Sequence, residues 1–168
     1  MKILGAILAG GASSRFGVDK ALAPFAGKPL IEHVIAVLAP QVTTLVISGY
    51  DYPGFARVDD LPAAGLGPLG GLCGALVHAA SHGFDAVLCA PCDTLGLPAD
   101  LAARLAPGPA VVSGQRSIGL WPASLAPALL SRLASGGSRA IHVWTSVCEA
   151  REVDCGAMHN INYQSDLG

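Results

Sequence analysis

The segment Leu8-Ala9-Gly10-Gly11-Ala12-Ser13-Ser14-Arg15-Phe16-Gly17, followed by Asp19-Lys20, sets small residues and two cations directly behind a short apolar run. A Gly-rich turn leaving a strand lets backbone N–H groups approach phosphate oxygens, because no Cβ stands in the way. Arg15 and Lys20 add the positive charge that a triphosphate needs. Spacing excludes two familiar nucleotide loops in this segment. A P-loop opening at Gly5 would require Lys at position 11, which is Gly11, and the G-x-G-x-x-G fingerprint is missing from the turn. An ordinary strand-to-helix turn is the plainer reading of the same residues.

Three further groups carry oxygen or amide chemistry. Asp93, in Pro91-Cys92-Asp93-Thr94, follows the apolar run FDAVLC. In open α/β sheets ligands collect at the carboxyl ends of strands, and a carboxylate there can hold Mg²⁺ bridging triphosphate oxygens. A helix or turn cap would use Asp equally well. Asp59-Asp60 stands ahead of a Gly/Pro-rich stretch. A carboxylate can accept from both the N1–H and the N2 amino group of guanine, a pair adenine does not offer; a solvated turn pair is the alternative. Asn160 and Asn162 could bring two amides to phosphate or metal, or could simply end a strand.

Other chemistries have less behind them. Cys89-Ala-Pro-Cys92 is a CxxC with no second pair to complete a zinc site and no thioredoxin-like context, so these cysteines read as small buried residues. The five histidines show no ligand spacing. No Ser/His/Asp order supports a hydrolase.

The elements that must position these groups follow from periodicity. Ile3–Leu8 reads as a buried strand. Pro29–Leu38 repeats apolar residues at helical spacing and stops before Pro40. Residues 42–48 are β-branched and strand-like, and 59–71 form a Gly/Pro loop. Pro68 opens a helix with apolar residues three and four apart. Residues 84–89 are a strand ending in the turn APCD. A short helix over 98–105, strands near 111–112 and 118–121, helices over 125–133 and 139–147, and a last strand over 151–153 complete the series. Alternating strand and helix through the first two-thirds predicts βαβ units and a mainly parallel sheet. No repeat, linker or low-complexity tract interrupts the chain, so one domain over 1–168 is the simplest organisation.

Composition agrees. The chain is 52% hydrophobic and 13% charged, which excludes a disordered chain and suits strands buried on both faces. A net charge of −2 provides no general basic field for nucleic acid. Its distribution is uneven. Lys2, Arg15, Lys20 and Lys28 lie in the first 33 residues, whereas 51–100 carry six Asp against Arg57. That asymmetry suits a phosphate partner plus a cation. No apolar stretch reaches the roughly 18 residues of a membrane helix. The apolar N-terminus is short for a secretory signal, and five cysteines make a poor disulfide framework, so a cytoplasmic location is expected.

Taken together, LAGGASSRFGVDKALAPFAGKPLIEHV, DDLPAAGLGPLGGL, APCDTLGLP and NINYQSDL resemble the molybdenum cofactor guanylyltransferases, in that family's order and across nearly the whole chain. The first piece marks the wider group of Gly-rich-loop nucleotidyltransferases; LAGG with GPLGG and PCDT narrows the likeness, since the related cytidylyltransferases usually carry LAAG. The resemblance implies a Rossmann-like three-layer α/β/α sandwich. It implies transfer of GMP from GTP to molybdopterin with release of pyrophosphate, dependent on Mg²⁺. It also implies molybdoenzymes or other cofactor-assembly proteins as partners, and no nucleic acid or membrane. Leu8, Ala9, Gly10 and Gly11 would line the nucleotide, and Arg15 and Lys20 would steady its phosphates. Asp60 would contact guanine, and Asp93 would hold Mg²⁺. Ser48 (where the family often has Asn), Asn160 and Asn162 are further candidate contacts. The nearest rivals are a transferase of the same fold using CTP or another phosphorylated acceptor, and a non-catalytic nucleotide-binding assembly factor. A flavodoxin-like or dehydrogenase domain is disfavoured by the missing fingerprint after the first strand.

Overall fold

A computed structural model describes residues 1–10 and 20–161. The first strand, β1 (Ile3–Leu8), is followed within the described residues by a 3-10 turn at Lys20–Leu22 and a small hairpin, β2 (Pro24–Phe25) and β3 (Lys28–Pro29). Next come α1 (Leu30–Leu38), β4 (Thr44–Ser48), β5 (Ala56–Val58), α2 (Pro68–Ser81), β6 (Ala86–Pro91) and β7 (Thr94–Leu95). The remainder is α3 (Leu101–Leu105), β8 (Ala110–Val112), β9 (Gln115–Pro122), α4 (Ala126–Ala134), α5 (Ile141–Val147), β10 (Arg151–Val153) and β11 (His159–Asn160).

Seven strands form one sheet in the order β10-β8-β9-β6-β1-β4-β5. All neighbours run parallel except those of β9, which is antiparallel to both β6 and β8. The central strands β1 and β6 are apolar at every position because both faces are covered. Ile3 and Ile7 of β1, Leu45 and Ile47 of β4, and Leu88 of β6 pack with Ile31, Val34 and Leu38 of α1. The alternate residues Leu4, Ala6, Val46, Val87 and Cys89 pack with Leu69, Leu72 and Leu76 of α2. The result is the three-layer α/β/α arrangement. From β1 the chain crosses by α1 to β4 on one side, then returns by α2 to β6 on the other. The order therefore reverses at β1, and the crevice beside its carboxyl end is where such sheets bind ligands.

Several boundaries differ from the periodicity reading. The strand expected over 84–89 runs Ala86–Pro91, because pairing with β1 continues to Leu8↔Pro91 and draws part of the expected APCD turn into the ladder. The helix expected from 98 begins at Leu101. The one expected from Arg139 begins at Ile141, behind an Ala140 that is still extended. Three pieces were unforeseen: the three-residue strand β5, the β2–β3 hairpin, and the pairing of β11 with β7. The helix expected at Pro68 is present and opens on that proline.

Helix α2 approaches the sheet more closely than side chains would permit. A Cβ on Gly74 would lie 2.0 Å from the Asp59 carbonyl oxygen, and one on Gly71 would lie 2.8 Å from Ser48 Oγ. Intrinsic propensity favours Ala over Gly inside a helix by about 1 kcal/mol. Overpacking costs about 1–3 kcal/mol, and here the obstacle is backbone, which cannot turn aside. Gly74→Ala is therefore expected to destabilise the protein by about 1–3 kcal/mol, against its propensity gain. A urea unfolding midpoint equal to or above that of the parent would disprove this packing.

Candidate active site

The parallel register brings Leu8, Ser48 and Pro91 to one edge, since Leu8 pairs with both of the others. Backbone bonds lock the continuations together. Ser48 O accepts from the N–H of Ala9 at 3.1 Å and of Gly10 at 3.0 Å, and Cys92 N–H donates to Leu8 O at 3.2 Å. The Ala9 and Gly10 amides are thus used within the sheet edge, so the expectation that the whole Gly-rich turn offers N–H groups to phosphate fails for these two. What Gly10 supplies is room. A Cβ there would lie 3.0 Å from Gly49 Cα, and Gly49, at φ +72°, would place its own 2.8 Å from Gly10 Cα. Two backbones meet where only glycine fits. Gly11, Arg15 and Asn162, which the sequence reading put at this site, lie outside the described residues.

Two adjoining cavities open along this edge. The smaller, about 350 Å³, is lined by Leu8, Ser48, Asp60, Asp93, Ser117 and Asn160 together with the first turn of α2. The larger, about 470 Å³, shares Gly10, Asp60 and Gly67 with it and extends past Gly49, Arg57 and Gly65. Most of the sequence-predicted residues therefore stand around one cleft. The start of α2 faces the same space through Gly67, Pro68 and Gly71, which puts the positive end of a 14-residue helix dipole toward it.

At one end of the cleft Lys20 Nζ lies 2.6 Å from Asp93 Oδ2. Asp93 is 5% exposed, and a carboxylate so far removed from water needs a charged partner. Its backbone is clasped by the C-terminal strand: Ile161 N–H donates to Asp93 O at 2.9 Å, and the Thr94 hydroxyl donates to Asn160 Oδ1 at 2.7 Å. Asn160 thus reaches the cleft as expected, by a route the sequence did not suggest.

At the other end the Asp59–Asp60 pair divides. Asp59 turns to solvent and pairs with Arg57 Nε at 2.8 Å, the solvated role. Asp60 turns inward and accepts from the Ser48 hydroxyl at 3.4 Å. Burial raises the Asp60 carboxyl above its ordinary value, opposed by the Ser48 hydrogen bond; the nearby Asp59 charge raises it and Arg57 lowers it. Elsewhere, Cys89 and Cys92 are buried, and burial pushes the Cys89 thiol up to about 11, which suits an inert residue.

The sequence reading missed Ser117, Thr94, Gly49 and the packing glycines of α2. Ser117 lies on a strand with no motif around it. One signal was present: Gly65-Leu66-Gly67-Pro68-Leu69-Gly70 has G-x-G-x-x-G spacing. It opens α2 behind the Asp59–Ala64 loop and not directly behind a strand, so it is not the dinucleotide turn.

Residues 5–148 match the family described as MobA-like NTP transferase domain. A molybdenum cofactor guanylyltransferase from Acidiphilium cryptum is 36% identical over 96% of this chain and 90% of its own. Another from Cereibacter sphaeroides is 38% identical over 99% and 94%. The fold is that of molybdopterin-guanine dinucleotide biosynthesis protein A from Archaeoglobus fulgidus, with a TM-score of 0.74 and 22% identity over 98% of this chain and 94% of that one.

Keeping a carboxylate half-buried beside the cleft has a thermodynamic signature. Because the folded protein raises the Asp60 value, the ionised form is penalised by folding at neutral pH, and the penalty disappears once pH falls below the unfolded carboxyl value. Asp60→Asn, which keeps an oxygen for Ser48, is expected to hold or raise the melting temperature at pH 7. The difference should vanish near pH 3. A clear loss of stability at pH 7 would show that the charge serves the fold and not a ligand.

Proposed function

The chain belongs to the MobA-like NTP transferases, in their molybdenum cofactor guanylyltransferase family, and from that premise we propose that it transfers GMP from GTP to molybdopterin, releasing pyrophosphate. The observation that carries the reading is one cleft of two adjoining cavities, with Asp60 lining both and Asp93, paired with Lys20, lining the smaller. Guanine seats against Asp60 in the larger cavity, and the triphosphate extends toward Lys20 and Asp93. The chain acts as one nucleotidyltransferase domain over 1–168, in the cytoplasm. Its product passes to molybdoenzymes or other assembly proteins.

Mg²⁺ fits this site. Among the described residues no group of three or more His, Cys, Asp or Glu forms a metal cage. Mg²⁺ does not need one, because it is commonly held by one or two carboxylates together with substrate phosphates and water. Asp93 is the hard oxygen donor that would hold it, and the ion would supply charge neutralisation on the triphosphate.

The protein's remaining contribution is alignment and charge. The acceptor's phosphate monoester is ionised at neutral pH, so no strong general base is required. One of its oxygens forms a bond to the α-phosphorus while the bond from that phosphorus to the bridging oxygen breaks. The electron pair leaves with pyrophosphate. Lys20, with Arg15 of the Gly-rich segment, stabilises the charge that develops there. Asn160, fixed by Thr94, and Ser117 line the smaller cavity together with Asp93, and they are the polar groups offered to the acceptor.

Thermal shifts with GTP, CTP, ATP and UTP, each with Mg²⁺, provide the test, since a ligand that binds only the folded state raises the melting temperature by mass action. GTP alone should stabilise the protein, and Lys20→Ala and Asp93→Ala should both weaken the effect. With molybdopterin as acceptor, Asp93→Asn should lower kcat about 100- to 1,000-fold, the scale of losing one charge-stabilising group. Selective stabilisation by CTP would replace this reading with cytidylyl transfer. No response to any triphosphate would refute the site.

A further inference from the structure

Ser48 is 1% exposed, and its hydroxyl bonds a carboxylate that lines both cavities of the cleft. Among the described residues it is the one side-chain donor to Asp60. The two groups belong to adjacent parallel strands. Ser48 ends β4 in register with Val58, the last residue of β5 and two positions before Asp60. Gly49 N–H donates to Val58 O at 2.8 Å, which ties the two strand ends just beyond that register. The Ser48–Asp60 bond therefore joins two points that the sheet already holds rigid, the condition under which a single hydroxyl can set a side-chain angle.

Helix α2 leaves the carboxylate free to be set in this way. A Cβ on Gly70 would come within 3.1 Å of Asp60 Oδ2, and one on Gly71 within 2.8 Å of Ser48 Oγ and 3.7 Å of Asp60 Oδ1. The carboxylate thus rests on bare backbone, with no side chain from α2 wedging its plane. Its rotation is restrained through Oδ1 by the Ser48 hydroxyl.

Resting on the reading that Asp60 contacts guanine, we propose that Ser48 is a positioning residue for base selectivity: it fixes the carboxylate plane so that both oxygens meet the two donors of the guanine edge. A carboxylate free to turn meets that edge through one oxygen. The N1–H bond then survives, while the N2 amino group finds no acceptor. Hypoxanthine has the same N1–H and no amino group, so the ratio of GTP to ITP affinity reads this second contact alone. A buried serine that merely satisfies its own hydroxyl would have no effect on that ratio.

The test is calorimetric titration of GTP and ITP, with Mg²⁺, into the parent protein and into Ser48→Ala, Ser48→Thr, Asp60→Asn and the Ser48→Ala/Asp60→Asn double variant. In Ser48→Ala the GTP/ITP preference is expected to fall about tenfold, the scale of one hydrogen bond to a charged group, with ITP affinity held within about twofold. Retained ITP affinity also shows that the variant is folded. Ser48→Thr, which keeps the hydroxyl, should hold the parent ratio. The double variant should be no less selective than Asp60→Asn alone, because a residue acting through another adds nothing once that other is gone. Equal losses of GTP and ITP in Ser48→Ala, or additive losses in the double variant, would overturn the positioning role while leaving the Asp60 contact in place. An unchanged ratio in Asp60→Asn would overturn the guanine contact itself, and this inference with it.

Discussion

Helix α2 lies against the ends of β4 and β5 at a distance that backbone tolerates and side chains do not. Gly70, Gly71 and Gly74 form the contact row, and a Cβ on the last would meet the Asp59 carbonyl oxygen at 2.0 Å. Much of the cleft follows from that approach. It sets the first turn of the helix, with its positive dipole end, over the carboxyl edge of the sheet. It keeps Ser48 and Asp60 out of bulk water without filling the space in front of them. It also explains a glycine-rich run inside a helix, where each glycine forgoes about 1 kcal/mol of helix propensity relative to alanine. Unlike the glycine of a turn, none of these three is required by a positive φ.

The cleft also holds two carboxylates that are kept in different ways. Asp93 is shielded from water and compensated by Lys20; Asp60 is partly shielded and compensated only by a hydroxyl. This difference in partners matches the difference in task proposed for the two. A group that handles phosphates and cations works best paired, because an unpaired buried charge is costly to keep. A carboxylate that reads a neutral base edge must retain lone pairs for that edge. A strong cationic partner on Asp60 would occupy the acceptor sites that make it useful, and Arg57, the nearest candidate, is drawn instead to Asp51 and Asp59 on the surface.

The architecture was legible where burial is two-sided and long. The runs around Ile3–Leu8 and Ala86–Pro91 are apolar at every position and Thr44–Ser48 is apolar between its polar ends, so the strands followed from these runs and the parallel pairing from their alternation with helices. Helix α2 announced itself through Pro68 and its apolar spacing. β5 did not, because Ala56-Arg57-Val58 is short and carries an arginine, and becomes a strand only by pairing with β4. The β7–β11 ladder pairs Leu95 with His159 and Thr94 with Asn160, a separation along the chain that local patterning cannot span. At the site, residue types were legible before their roles. Asp59 and Asp60 are indistinguishable as neighbours in a sequence, and only the fold turns Asp60 inward to Ser48 while Asp59 pairs with Arg57 at the exposed rim.

The same limit applies to LAGG. Its glycines invite a phosphate-binding interpretation, yet the amides of Ala9 and Gly10 are committed to Ser48 O, and Gly10 is small because Gly49 comes up against it. A sequence motif records every constraint on its residues at once, and here sheet closure accounts for Ala9 and Gly10. Ser48 takes part in both: its carbonyl oxygen closes the β1–β4 edge and its hydroxyl reaches Asp60. Because one residue performs both tasks from a fixed strand end, the geometry of the Asp60 carboxylate is tied to the positions of Ala9 and Gly10. On the proposed reading, the two ends of the nucleotide are thereby referred to one rigid point in the sheet.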